Sequence, residues 1–158
     1  TPGLIRTEAD ELSYSLHVLI RYEIEKMLIE EDLDVEKLPQ LWADKYEEYL
    51  GVRPENPAEG VLQDIHWSQG SFGYFPSYAL GSAFGAQLYY HMKEIMDFDG
   101  LLREGKVDVI RDYLREHIHQ YGKLKDSRQI LKDVTGEDFK PEYYVRYLKE
   151  KYSAVYGL

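Results

Sequence analysis

Apolar residues recur every three or four positions along most of the chain, which is the spacing of one buried helix face. The longest such run extends from Leu12 to Leu28 and predicts a helix that ends near Glu30. Residues 7–10 (Thr-Glu-Ala-Asp) have the Thr-x-x-acid form of a capping box, which places the predicted cap at Thr7. Strand-like alternation is nowhere sustained, so the pattern predicts an all-α fold.

Proline and glycine mark the limits of the helices that follow. They are predicted over residues 39–50, 79–96, 107–118 and 126–134, with a last helix that Pro141 opens. A chain of 158 residues has the usual size of one domain, about 100–200 residues. We therefore expect six or seven helices in a single multi-helix domain, residues 1–158, without an internal boundary.

Composition and charge exclude several classes of protein. Hydrophobic types make up 44% and charged types 30%, which argues against disorder. The formal charge of −10 argues against nucleic-acid binding, and no apolar run approaches the ~20 residues of a membrane span. The absence of cysteine excludes disulfides, thiolate metal sites and a cysteine nucleophile. No targeting peptide is visible, and a start at Thr1 rather than Met suggests a piece of a longer protein.

The five histidines do not form a recognisable metal motif. None is followed by Glu, so the His-Glu-x-x-His zinc motif is missing. Glu116-x-x-His119 is a single Glu-x-x-His pair, whereas a di-metal bundle needs two. We expect His117 and His119 to be surface or capping residues, and His17 to be hydrogen-bonded and partly buried. No metal ligand is predicted in this chain.

A glycine- and aromatic-rich stretch before the small-residue helix carries the candidate chemistry. His66 can donate to a developing oxyanion, and Tyr74 and Tyr78 are neutral phenol donors spaced four apart. Gln63 and Asp64 can fix the tautomer of His66 or bind substrate amides. A well-packed helix corner with aromatic anchors explains the same residues equally well, and the spacing alone does not decide.

Two motifs, in this order, resemble those of a known family. Residues 5–10, Ile-Arg-Thr-Glu-Ala-Asp, resemble the Ile/Val-Arg-x-x-Ala-Asp motif of the carboxypeptidase Taq family of zinc metallopeptidases. Residues 60–67, Gly-Val-Leu-Gln-Asp-Ile-His-Trp, match that family's Gly-x-x-Gln-Asp-x-His-Trp motif. Residues 73–78 and the last eight residues are also similar, so the resemblance covers essentially the whole chain. The family's His-Glu-x-x-His, His-Glu-Ser and Asp-x-Arg segments are absent here.

The resemblance implies that the chain is the C-terminal third of a mostly helical, zincin-like carboxypeptidase with a substrate cleft. The full-length enzyme would be a cytoplasmic homodimer that releases single residues from peptide C-termini. It would use Zn²⁺, or another divalent metal such as Co²⁺, held by the missing N-terminal part. This chain alone would bind no catalytic zinc and would be inactive.

The resemblance also implies roles for individual residues. His66 and either Tyr74 or Tyr78, with Tyr74 preferred, would steady the tetrahedral intermediate. Arg6 would hold the substrate's terminal carboxylate, since a guanidinium pairs with a carboxylate through two hydrogen bonds. An ion pair from Arg6 to Asp10 or Asp64 is an equally good interpretation. Gln63 and Asp64 would contact the substrate backbone or only brace His66.

Two further expectations concern partners. A non-catalytic helical interaction module on the same scaffold is the main alternative to an enzyme, and a His-Glu-x-x-His upstream of Thr1 would decide between them. If a part is missing, the surface that met it should be apolar and exposed, with Phe72, Tyr74 and Phe75 as its expected members.

Overall fold

The computed structural model describes residues 2–31 and 33–158. Within that part of the chain all regular structure is helical, which confirms the predicted all-α fold. The seven α-helices are α1 (Glu11–Glu30), α2 (Leu38–Leu50), α3 (Pro76–Ile95), α4 (Phe98–Arg103), α5 (Val107–His117), α6 (Ser127–Thr135) and α7 (Glu142–Tyr156). Single 3-10 turns lie at Arg6–Glu8, Val35–Lys37, Val61–Gln63, Trp67–Gln69 and His119–Tyr121. None of the described helices is long and apolar enough to cross a membrane.

The N-terminus of α1 differs from the sequence prediction. Asp10 is the cap, because its side chain accepts a hydrogen bond from the backbone N–H of Ser13 at 2.8 Å. Thr7 lies in the preceding 3-10 turn, and extended backbone at Ala9 (ψ 143°) separates that turn from α1. The predicted cap at Thr7 is therefore wrong, since the chain leaves the helical conformation between Thr7 and the first residue of α1.

The limits of α2 follow the predicted signals. Pro39 lies in its first turn, where a missing N–H costs no hydrogen bond. Gly51 ends the helix in the left-handed conformation, at φ 68°, which suits a residue without a side chain. Helix α4 has no counterpart in the prediction, because its six residues are too few to show a helical period.

The chain forms two compact units, residues 1–80 and residues 81–158. In the first, α1 packs against α2 around a cluster of nearly inaccessible side chains: Ile20, Ile24, Trp42, Tyr46 and Leu50. Trp42 stacks on Tyr46 with ring centroids 5.2 Å apart. Burial of these large apolar side chains is the main stabilising contribution to this unit. That residues 1–158 act as a single domain stays a prediction.

Within the second unit, polar side chains of α3 contact α7 and the segment before it. Gln87 is 1% exposed, and its amide donates to the carbonyl of Asp138 at 3.1 Å and accepts from the N–H of Lys140 at 3.0 Å. Farther along α3, the Tyr90 hydroxyl donates to Glu150 of α7 at 2.6 Å. These bonds fix the segment before α7, and α7 itself, against α3.

Candidate active site

The predicted site residues converge on Asp64, in the first unit. Nη2 of Arg6 donates to Oδ1 of Asp64 at 2.8 Å, and Nε of Arg21 donates to Oδ2 at 2.5 Å. One carboxylate therefore lies between two guanidinium groups that are almost fully removed from solvent. Of the two ion pairs predicted for Arg6, the structure forms the one to Asp64, and it joins two motifs that lie 58 residues apart.

Asp64 and Arg6 stabilise each other's charged forms. Burial alone would raise the pKa of Asp64, but the hydrogen bonds and positive charges of Arg6 and Arg21 lower it below its ordinary value. Burial likewise opposes the charge on Arg6, yet the contact with Asp64 raises the pKa of Arg6. The cluster consequently carries a net positive charge at neutral pH.

His66 is held between Asp64 and Tyr78. Its Nε2 lies 3.2 Å from the Tyr78 hydroxyl, and its Nδ1 faces Oδ1 of Asp64 at 3.8 Å. A carboxylate favours a proton on the nitrogen that faces it, so we assign the Nδ1–H tautomer to His66, although 3.8 Å is too long for a hydrogen bond to Asp64. Nε2 then accepts the hydrogen bond that Tyr78 donates. In this arrangement Asp64 orients the imidazole electrostatically, and the Tyr78 hydroxyl is already engaged.

Tyr74 differs from Tyr78 in that its hydroxyl has no hydrogen-bond partner in the described part of the chain. Its ring stacks on His66 with centroids 5.7 Å apart, and the side chain is 52% exposed. Phe72 is also exposed, whereas Phe75 is 1% exposed and packs against His66 at 4.4 Å between centroids. Phe75 is therefore a core residue, and its predicted place in an exposed apolar surface is wrong.

The other two predicted substrate-binding residues are engaged within the protein. Nη1 of Arg6 donates to the Tyr14 hydroxyl at 2.9 Å, and the guanidinium lies over the Tyr78 ring. The amide nitrogen of Gln63 donates to the carbonyl of Glu59, while its Oε1 is buried without a hydrogen-bond partner in the described residues. Contacts of Arg6, Gln63 and Asp64 with substrate stay predictions.

Sequence analysis missed a buried polar face on α1. His17, Arg21 and Glu25 are spaced four apart and are 0%, 0% and 5% exposed. Arg21 lies over the ring of Trp42 and donates from Nη1 to the carbonyl of His17 and to the Tyr46 hydroxyl. The spacing of four was the available signal, but on a helix that also carries an apolar stripe it indicates a solvated face just as well.

Glu25 and His17 lie at the two ends of this face. The carboxylate of Glu25 accepts from Nε1 of Trp67 at 2.8 Å and from the backbone N–H of Gly73 at 3.1 Å. Nδ1 of His17 lies 3.1 Å from the Tyr46 hydroxyl, which confirms the predicted hydrogen bond, although the side chain is fully rather than partly buried. Burial, with the positive charges of Arg21 and Arg6, lowers the pKa of His17 to about 4.

The described residues do not fit a catalytic metal. Among residues 2–31 and 33–158, no group of three or more His, Asp or Glu side chains is placed to hold a metal ion. His117 ends α5 and packs on the ring of Tyr113, and His119 is exposed.

Comparison with known proteins places these motifs in one family. The family described as Carboxypeptidase Taq (M32) metallopeptidase matches residues 1–152. The chain is 51% identical over 158 residues to Carboxypeptidase 1 of Bacillus subtilis, covering 99% of this chain and 32% of that protein. It is 45% identical over 152 residues to Thermostable carboxypeptidase 1 of Pyrococcus furiosus, covering 96% of this chain and 30% of that protein.

Solved structures agree with this assignment. A Pyrococcus furiosus carboxypeptidase superposes with a TM-score of 0.91 at 45% identity, covering 96% of this chain and 31% of that one. A carboxypeptidase of Deinococcus radiodurans superposes with a TM-score of 0.95 at 32% identity, covering 100% of this chain and 32% of that one. The chain thus spans about a third of the length of the relatives that it matches. The resemblance noted in the sequence is confirmed, and the chain belongs to the carboxypeptidase Taq family of metallopeptidases.

Proposed function

We propose that this chain is the C-terminal part of a metal-dependent carboxypeptidase that releases single amino acids from peptide C-termini. It forms one wall of the substrate cleft and supplies groups that stabilise the oxyanion. Family membership supports the reaction class, and the relatives' greater length leaves room for the metal ligands outside these residues. The metal, zinc or another divalent ion such as cobalt, is held by the N-terminal part of the same enzyme.

The observation that carries this proposal is the free phenol of Tyr74 beside a fixed imidazole. Peptide hydrolysis passes through a tetrahedral intermediate whose oxygen becomes negative, and a preorganised neutral donor stabilises that charge. Tyr74 has an open donor and is 52% exposed, whereas the Tyr78 hydroxyl lies 3.2 Å from Nε2 of His66 and, in the tautomer assigned above, donates to it. Tyr74 is therefore the donor to the oxyanion, and Tyr78 orients His66.

Because Nδ1 of His66 faces Asp64 and Nε2 is bonded to Tyr78, the imidazole supports the Tyr74 ring by stacking, and the positive cluster behind it completes this wall of the cleft. Asp64, with Arg6 and Arg21 bound to it, holds the imidazole in one orientation at 3.8 Å. The net positive charge of that cluster favours negative charge nearby, both on the intermediate and on a peptide's terminal carboxylate. Arg6 can bind that carboxylate only if it gives up part of its contact with Asp64 or Tyr14.

The assay is the release of the free amino acid from an N-blocked dipeptide by the whole protein that contains this chain. Tyr74→Phe removes the donor and should lower kcat about 100-fold, the usual effect of losing one oxyanion donor. Tyr22→Phe is the matched control, because Tyr22 is a half-exposed phenol on α1 and should leave kcat unchanged. A Tyr74→Phe enzyme with the kcat of wild type would remove the proposed role.

The same assay, with a zinc analysis, tests whether this chain needs the rest of the enzyme for metal binding and activity. The purified 158-residue chain should bind no stoichiometric zinc and release no amino acid, and stoichiometric zinc with turnover would contradict this. We further propose that the whole enzyme is a cytoplasmic homodimer, on the strength of the resemblance. A parent reading frame without a His-Glu-x-x-His upstream would favour the non-catalytic interaction module instead.

A further inference from the structure

Glu25 is a buried carboxylate that the proposed mechanism does not use. It is 5% exposed, and both of its oxygens accept hydrogen bonds from the loop that leads from His66 to Tyr74. A carboxylate is costly to bury unless it is hydrogen-bonded, so its place at this loop calls for a physical reason. Glu25 lies one helical turn beyond Arg21, on the same buried face of α1.

The two groups that donate to Glu25 occupy positions in the sequence that explain why a carboxylate is buried here. Trp67 directly follows His66, and Gly73 directly precedes Tyr74. The indole of Trp67 and the backbone N–H of Gly73 therefore bring the two ends of the loop to one carboxylate, at 2.8 Å and 3.1 Å. Because each end is one peptide away from a proposed site residue, the carboxylate sets the separation and orientation of His66 and Tyr74.

Within the loop, the backbone bond from Ser71 to the carbonyl of His66 at 2.8 Å and the stack of His66 on Tyr74 give short-range support, and Glu25 adds an anchor from outside the loop. Gly70 and Gly73 both adopt positive φ, a conformation in which glycine is free to move between several backbone regions. Arg21 secures the loop only before His66, through Asp64. After His66, Glu25 holds both ends of the loop by hydrogen bonds, in addition to the packing of Trp67 and Phe75.

We infer that Glu25 is a positioning residue for the proposed reaction: through Trp67 and Gly73 it holds His66 and the Tyr74 phenol in register. This inference rests on the proposed function. A displacement of about 1 Å at a reacting group can cost about 100-fold in rate, so an imprecise loop lowers kcat more than it weakens substrate binding.

The test is Glu25→Gln in the whole protein, assayed on the N-blocked dipeptide at a temperature where circular dichroism shows the variant folded. Glutamine offers one acceptor oxygen, and its NH₂ group faces a second donor, so one of the two anchors is lost. We expect kcat to fall about 10- to 100-fold and KM to change by less than about twofold.

Glu23→Gln is the matched control. Glu23 lies on the same helix and also accepts from two groups, Lys45 at 2.5 Å and Tyr49 at 3.0 Å, but neither belongs to the loop. Its substitution should reduce stability and leave kcat within about twofold of wild type. Equal losses of kcat in the two variants would overturn the inference, because the effect would then be a general loss of stability.

A second variant covers the case in which Glu25→Gln does not fold. Trp67→Phe removes the indole donor, together with part of the ring that packs against Trp42 and Phe75, and should lower kcat by about 3- to 10-fold with KM nearly unchanged. In a Glu25→Ala background, which offers neither donor an acceptor, Trp67→Phe should lower kcat by less than about twofold, since the bond is already absent. A wild-type kcat in Trp67→Phe, or full additivity of the two changes, would refute a role through this bond.

The Tyr74→Phe result separates this inference from the proposed function. If Tyr74→Phe lowers kcat and Glu25→Gln does not, the proposed function stands and the positioning role of Glu25 is wrong. If Tyr74→Phe leaves kcat unchanged, the proposed function fails, and the inference that depends on it is overturned as well.

Discussion

Replacement of Asp64 by Asn tests whether the cluster of two arginines and one carboxylate stabilises the first unit. Asn is nearly the same size but has one acceptor, and its NH₂ group would face a guanidinium. Arg21 is 0% exposed and Arg6 is 7% exposed at the side chain, so both charges would remain buried without an acid. Removing one partner of a buried ion pair costs about 3–5 kcal/mol.

Asp44→Asn provides the matched control. Asp44 accepts from Arg53 at 2.7 Å, a distance similar to those around Asp64, but its side chain is 54% exposed and that of Arg53 is 38% exposed. In Asp44→Asn, water solvates the remaining charge of Arg53 and Glu47 still accepts from it at 2.6 Å, so the expected loss is about 0–1 kcal/mol. Both substitutions are Asp→Asn at a carboxylate that accepts from arginine, and they differ in burial and in the number of arginines left without that acid.

The measurement is urea unfolding of the 158-residue chain followed by tryptophan fluorescence. The two tryptophans, Trp42 and Trp67, both belong to the first unit, so the signal reports its unfolding. Adding Arg21→Met to Asp64→Asn should recover about 1 kcal/mol or more, because it removes an uncompensated buried charge. Losses within about 1 kcal/mol of each other for Asp64→Asn and Asp44→Asn would refute the reasoning.

The pH dependence gives the same experiment a second check. The pKa of Asp64 lies below its ordinary value of 3.8 in the folded chain. Its contribution to the unfolding free energy is therefore complete above that value and is lost as the pH falls through the lowered pKa. The gap between wild type and Asp64→Asn should stay constant at neutral pH and narrow only in this acid range.

Two further predictions use urea unfolding, followed by tryptophan fluorescence for the first unit and by far-UV circular dichroism, which reports the helices of both units, for the second. The pKa of His17 falls from 6.5 to about 4 on folding, so its stabilising contribution is complete above pH 6.5 and is lost, up to about 3 kcal/mol, as the pH falls to 4. Wild type should lose more stability across this range than His17→Gln, and equal losses would contradict the assignment. A Cβ at Gly85, inside α3, would meet no atom within 4 Å, so Gly85→Ala should stabilise the second unit by about 0.5–1 kcal/mol. Gly51→Ala, at φ 68°, should destabilise the first unit, because an alanine side chain is strained in that conformation. If Gly85→Ala also destabilises the protein, the inference that a methyl group fits at Gly85 is wrong.

Local sequence patterns were sufficient to predict most of the helices and to recognise the motifs that contribute to the site. Apolar periodicity, Pro39, Gly51 and Asp126 act within a few residues, so the limits of α2 and α6 agree with prediction. The motif around His66 identified the family for the same reason, since it is contiguous in sequence. The position of the α1 cap was predicted wrongly because Thr7 and Asp10 are both good capping residues. Only the backbone conformation between them decides which one caps the helix.

The contacts that build the site were decided by tertiary structure. Arg6 meets Asp64 across 58 residues, and Glu25 meets Gly73 across 48, so no local pattern could pair them. His17, Arg21 and Glu25 have the spacing of a solvated helix face as much as of a buried one. They became a buried polar support because α2 and the loop after Asp64 pack over them. The burial of a charge depends on what covers it, and sequence spacing records only which residues share a face.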